Sequence, residues 1–247
     1  MNSTVFFDTV FDDSGSTLAE PPEANPANVT DCRPYTYWTP PALPATLTSN
    51  SASTRAADYA LILYHNLFSC GCTVEVWGSD DAFATAGTLL GSNTPTNDRD
   101  AALILFTSAS YKSWRLNITG TATPTIAIAM IGARLELPRN VQEGFDPIGR
   151  AAMGPDADKE GTPVGRLTLY EKWEESVTLS LISPTWIRES FVPAWDLHLQ
   201  HTPFAFAWNP EDYPEETLLV SSSDGQFAAP HSGLWSNLTF KITGVIQ

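Results

Sequence analysis

The chain has 247 residues, 43% apolar and only 17% charged, with a net charge of −15. That is enough material for a sizeable core without disulfide staples. The acidic balance excludes a sequence-independent grip on nucleic acid or on anionic membranes, both of which need clustered Lys and Arg.

Four lysines (Lys112, Lys159, Lys172, Lys241) stand against abundant Thr, Ser, Pro, Gly and aromatics, a balance that favours pleated strands over helices. No stretch approaches the roughly 20 apolar residues of a membrane span. Residues 1–20 contain Phe6, Phe7 and Phe11 but no basic n-region or apolar h-region, so no secretory signal is expected. Three cysteines do not make a disulfide framework, which points to synthesis in a reducing compartment. The sequons at Asn2, Asn28, Asn117 and Asn237 are of the number that an Asn-, Thr- and Ser-rich chain produces by chance.

Residues 18–44 hold seven prolines, which exclude helix and central strand. Tyr35, Tyr37 and Trp38 lie among them, so this stretch should pack across the body of the protein. From residue 57 strands begin. Residues 58–65 (DYALILYH) are apolar on both faces, as in a strand buried within a sandwich. Residues 72–77 alternate, with Cys72, Val74 and Val76 on one face and Thr73, Glu75 and Trp77 on the other. Residues 78–100 read as a loop. Further strands are expected at 102–106, at 112–118 with Trp114, Leu116 and Ile118 inward, at 125–131 and at 134–137. Short strands at this spacing describe a β-sandwich or jelly roll over residues 1–138.

Residues 139–163, with four glycines, three prolines and no periodicity, read as a linker. The second module, 164–247, begins with alternating segments at 165–170 and 176–181. One helix is expected over 184–200, with Trp186, Phe191, Trp195 and Leu199 on its buried side, Ser183 as its cap and Pro193 as a kink or end. Strands resume at 203–208, 217–220 and 234–246, the last with Leu238, Phe240 and Ile242 opposite Thr239, Lys241 and Thr243.

Catalytic signatures are missing: there is no nucleophile elbow, His-Glu-x-x-His pair or phosphate-cradling glycine loop. Cys32, Cys70 and Cys72, with His65, could in principle hold a metal, but Cys72 falls on an apolar strand face and reads as a buried thiol. Residues 156–161 resemble a calcium loop but place Leu167 where the final carboxylate is needed. His65, His198, His201 and His231 are scattered. No enzyme activity, metal or cofactor is therefore expected. The aromatic surplus of the second module (Phe204, Phe206, Trp208, Tyr213, Trp235) either fills its core or binds a partner, and the two readings are not exclusive.

Residues 57–66 (ADYALILYHN), 71–80 (GCTVEVWGSD), 111–120 (YKSWRLNITG) and 131–138 (IGARLELP) resemble the galactose-binding-like jelly rolls of tailed-bacteriophage virion proteins. Residues 202–210 (TPFAFAWNP), 213–216 (YPEE) and 242–244 (ITG) resemble the closing domain of siphophage tail-tip proteins, distal tail proteins above all. The resemblance implies an all-β fold, a jelly-roll sandwich followed by a smaller β domain with one helix. It also implies a structural virion protein assembled in the host cytoplasm. Such a protein forms a three- or six-fold homo-oligomeric ring at the tail tip and joins the tube to hub or fibre proteins. An acidic lumen would then let DNA pass without adhering. The competing expectation is a module that binds carbohydrate at the host surface, with Trp38, Trp77, Asp80 and Asp81 as its ligand loop.

Overall fold

A computed structural model describes residues 2–12, 17–20, 25–141, 145–146, 151–153, 170–222, 225–227 and 235–245. Its strands are β1 (Thr4–Phe6), β2 (Thr17–Glu20), β3 (Ala45–His65), β4 (Thr73–Ser79), β5 (Thr88–Asn93), β6 (Ala102–Thr119) and β7 (Ile126–Gly132). They continue as β8 (Leu135–Glu136), β9 (Ala151–Met153), β10 (Tyr170–Ile182), β11 (Phe204–Ala207), β12 (Leu218–Ser221), β13 (Gly225–Phe227) and β14 (Ser236–Val245). The fold is all-β in two antiparallel sheets. One runs β2-β3-β6-β4-β5, with β7 also on β3; the other runs β8-β1-β11-β12-β14-β10-β9, with β13 also on β14.

The first sheet folds over on itself. Laid straight, the 21 residues of β3 would reach about 70 Å. Yet Leu47 and Ile62, near its two ends, share one buried cluster with Ile104, Trp114 and Leu116 of β6. Breaks in the β3–β6 register between Asn50 and Arg55 and between Ala57 and Tyr59 mark the bend. One layer is then β7 with the later half of β3 and the start of β6; the other is β2, the start of β3, the end of β6, β4 and β5. Strands expected at 102–106 and 112–118 are thus one strand bent across both layers.

A second core joins this fold to the other sheet. Tyr59, Leu61, Leu63, Leu103 and Met130 meet Phe6, Ala205, Ala207 and Leu219. The opposite face of that sheet, carrying Phe204, Phe206, Val220 and Phe240, is covered by Ile187, Phe191, Trp195 and Leu199. These four come from one helical segment, α1, which runs through the pieces Pro184–Trp186, Ile187–Phe191, Val192–Ala194 and Trp195–Leu199. Two of the pieces are π-helical, and they bracket Pro193, which cannot donate to the ladder. Of the two expectations for Pro193, a kink or an end, the end does not hold: α1 continues past it to Leu199. Ser183 makes no side-chain cap; its carbonyl accepts the Ile187 N–H at 3.1 Å instead.

Inward faces follow the alternation read from sequence. Cys72, Val74 and Val76, then Trp114, Leu116 and Ile118, then Leu238, Phe240 and Ile242 are all buried. Strands β1, β2, β5, β9 and β13, and the first part of β3, lie where none was assigned. The start of β3 is Ser- and Thr-rich, but β-branched residues suit a strand paired on both sides. The edge strand β5, within the expected loop 78–100, pairs with β4 and turns Leu90 partly onto the core but buries no residue fully, so it lacks an apolar period. Strands β1 and β8, from the two ends of residues 1–138, hydrogen-bond into the second sheet beside β11. Most of 139–163, the calcium-like segment 156–161, all but Tyr170 of the strand expected at 165–170, and His231 lie outside the described residues.

Candidate functional site

Among the described residues, one sheet face is left without a covering layer, and the strand alternation decides what it carries. Because Val74 and Val76 of β4, and Leu116 and Ile118 of β6, point into the core, their neighbours point out. Two cross-strand rows result: Thr48, Arg115 and Trp77, and beside them Thr46, Asn117 and Glu75. The rows are tied together. Glu75 Oε2 accepts the Trp77 indole N–H at 3.0 Å and the Asn117 amide N–H at 2.9 Å, while the Arg115 Nε–H donates to Thr48 Oγ1 at 3.0 Å.

The turn after β4 raises a wall beside these rows. Ser79 Oγ accepts the Asp81 and Phe83 N–H groups and donates to Asp81 Oδ1 at 2.6 Å. Asp81 Oδ2 accepts from both the hydroxyl and the N–H of Thr85. These bonds hold Ala82 and Phe83 at φ 56° and 62°, a left-handed conformation that L-residues avoid at a cost of about 1–2 kcal/mol each. The strain turns Phe83 back over the sheet, where its ring lies 3.9 Å from the Arg115 guanidinium carbon. Gly87 makes room for the ring, since a Cβ there would meet Phe83 Cε1 at 2.7 Å. Hydrogen bonds from Ser79 first, and then from Thr85, hold the Asp81 carboxyl below the usual carboxylate range.

Between this wall and the floor lies a concavity of about 500 Å³, lined by Trp77, Phe83, Arg115, Asn117 and the backbone-rich segment 84–87. It offers an aromatic edge, a guanidinium and an amide on a rigid strand floor, with no carboxylate among its lining residues.

No protein-family model matches the chain, and no curated protein matches its sequence. Solved structures do match. One is a GH29 fucosidase of Ruminococcus gnavus in complex with fucose, at TM-score 0.43 and 12% identity over 52% of this chain and 27% of that chain. Another is the chitosan-binding module 1 of a chitosanase/glucanase from Paenibacillus sp. IK-5, at TM-score 0.38 and 14% identity over 48% of this chain and 93% of that chain. A third is CpGH89CBM32-5 from Clostridium perfringens in complex with GalNAc-β-1,3-galactose, at TM-score 0.38 and 14% identity over 53% and 96%. The chain thus spans about a quarter of the fucosidase's length. None of the three is a virion protein, and the resemblance to tail-tip proteins gains no support from them.

Of the four residues expected to form a ligand loop, the structure brings three to one end of this face. Trp77 lines the concavity, Asp81 builds its wall, and Asp80 accepts the Lys112 N–H at 3.2 Å. Trp38 must be withdrawn from that set. It is 0% exposed and paired through its backbone with Ile126, so it anchors the Pro-rich stretch to the core. Phe83, Arg115 and Asn117 were missed, although the outward alternation of Arg115 and Asn117 with Trp114, Leu116 and Ile118 was a usable signal.

The aromatic set of the second sheet separates similarly. Phe204 and Phe206 are core residues under α1 and are corrected from partner contacts to packing. Trp208 is half-buried and stacks on Tyr213 with centroids 5.2 Å apart; its indole N–H donates to Glu216. Tyr213 and Trp235 are exposed. The cysteines are free, and among the described residues no group of His, Cys, Asp and Glu could hold a metal. Cys70 and Cys72 direct their sulfurs at the Thr123 and Ala122 carbonyls. Burial pushes the Cys72 thiol up to about 11, so it stays neutral. His65 is buried, and desolvation lowers its pKa.

Proposed function

We propose that the open sheet face binds carbohydrate and does not transform it. A sugar ring has an apolar C–H face and a rim of hydroxyls, so its complement is an aromatic surface flanked by planar hydrogen-bonding groups on a stiff floor. The observation that carries this reading is the convergence of Trp77, Arg115 and Asn117 from adjacent strands into one concavity closed by Phe83. Glu75 fixes the Trp77 ring and the Asn117 amide before any ligand arrives, which lowers the ordering cost of binding.

The carboxylate pattern favours binding over cleavage. Glycoside hydrolysis uses two carboxyl groups about 5–9.5 Å apart across the scissile bond. Glu75, under this concavity, is engaged by its two donors, and Asp81 in the wall is engaged by Ser79 and Thr85. Titration calorimetry of the whole protein against neutral, amino and acidic polysaccharides tests the reading. Saturable binding to at least one class, weakened about tenfold or more by Trp77→Ala, is the expected result. Failure of every class, or indifference to Trp77→Ala, would sink it.

A further inference from the structure

Arg115 is the cation of the site, and its surroundings leave it only partly used. Its Nε–H goes to Thr48, and its guanidinium carbon lies over the Phe83 ring. No carboxylate pairs with it among the described residues, whereas Arg55 and Arg134 are each paired, with Asp8 at 2.8 Å and Asp58 at 3.4 Å. Glu75, the acid in the neighbouring row, gives its Oε2 to Trp77 and Asn117 instead. What distinguishes Arg115 is its place: it lines the concavity beside Trp77 and Asn117, with no carboxylate among the lining residues.

We infer that the ligand is an acidic glycan, a uronic-acid polysaccharide whose carboxylate is received by the terminal nitrogens of Arg115 while the sugar ring lies against Trp77. This rests on the carbohydrate-binding reading of the same face. A guanidinium held flat by stacking presents a planar pair of N–H donors, which matches a carboxylate in two parallel charge-assisted bonds. The adjoining Asn117 amide can serve a ring hydroxyl. The chain's charge of −15 opposes a polyanion at long range, but at physiological salt that field is screened beyond about 8 Å, so contact chemistry decides.

The test titrates the whole protein with an oligogalacturonide, with its carboxyl-reduced counterpart, with a sulfated glycan and with a neutral glucan. The oligogalacturonide should bind, and carboxyl reduction should weaken binding about tenfold or more. Arg115→Gln should remove most of that preference, and Arg115→Lys should keep part of it, with thermal midpoints reported for both. Equal binding of acidic and reduced oligosaccharides, or a preference untouched by Arg115→Gln in a folded variant, would overturn the inference while leaving carbohydrate binding intact. Stronger binding of the sulfated glycan would overturn the assignment to carboxylate. Binding of none of the four, together with silence across the broader panel, would remove both readings.

Discussion

Arg115 and Phe83 meet at 3.9 Å, guanidinium carbon to ring centroid, one from the floor of the open face and the other from the loop that walls it. The contact couples the shape of the concavity to the orientation of its cation. Phe83→Ala should therefore cut glycan affinity severalfold while costing only about 0.5–1 kcal/mol of stability, the scale of an exposed cation–π pair. Denaturant unfolding and calorimetry on the same preparation separate the two effects. A large loss of stability with unchanged affinity would contradict the coupling.

Gly87 supplies the space that this contact needs. Placing a methyl group there brings it to 2.7 Å from the Phe83 ring and 2.8 Å from the Gly78 carbonyl. Gly87→Ala should displace the ring, destabilise the protein by about 1–3 kcal/mol and weaken glycan binding. Combined with Phe83→Ala, part of the stability loss should disappear because the colliding ring is gone. Strict additivity in that double-mutant cycle would mean that the two residues do not collide.

The loop should also respond to acid. The Asp81 pKa is depressed by hydrogen bonds from Ser79 and then Thr85, so its contribution is fully present above the ordinary carboxylate value, about 3.9. It is lost as the pH falls through the lower folded value. The amide resonances of Phe83 and Thr85 should therefore shift below about pH 4 in the wild type, ahead of global unfolding. In Asp81→Asn that titration should be absent. Its persistence in the variant would assign it to another group.

The two aromatic populations of the second sheet should behave oppositely. Phe206 is packed beneath Phe145 and α1, so Phe206→Ala should cost about 3–5 kcal/mol. Tyr213 is 43% exposed and stacks on Trp208, so Tyr213→Ala should change stability by about 0.5 kcal/mol or less. Thermal unfolding of both variants is sufficient. A mild Phe206→Ala would reopen a surface role for that residue.

How far the sequence was legible follows from what each signal encodes. The inward faces of β4, β6 and β14 could be read because a buried side next to a wet side writes a period of two, and Trp77 was placed outward by the same rule. Phe204 and Phe206 resisted, because β11 alternates Phe with Ala and is buried on both sides, so nothing distinguished core from contact. Trp38 resisted because its burial depends on a backbone pairing with the distant Ile126. Phe83 had no signal at all. Its left-handed backbone is imposed by Ser79 and Asp81, and neither Ala82 nor Phe83 carries a turn preference of its own. The fold of β3 and β6 over themselves was equally silent, since a register break leaves no mark in composition.

The placement of β1 has a consequence for how the protein can be handled. Three residues from its beginning, Thr4–Phe6, sit between β8 and β11, with Val5 paired to both Leu135 and Phe206. Dividing the chain in the Gly- and Pro-rich stretch 139–163 would carry β1 away from β11. Each fragment would then bare a row of unpaired N–H and C=O groups beside apolar side chains, which invites edge-to-edge aggregation. The layer with the open face and the helix-backed sheet must therefore be produced as one piece. A truncation meant to isolate either would be expected to fail as a precipitate before it could report on binding.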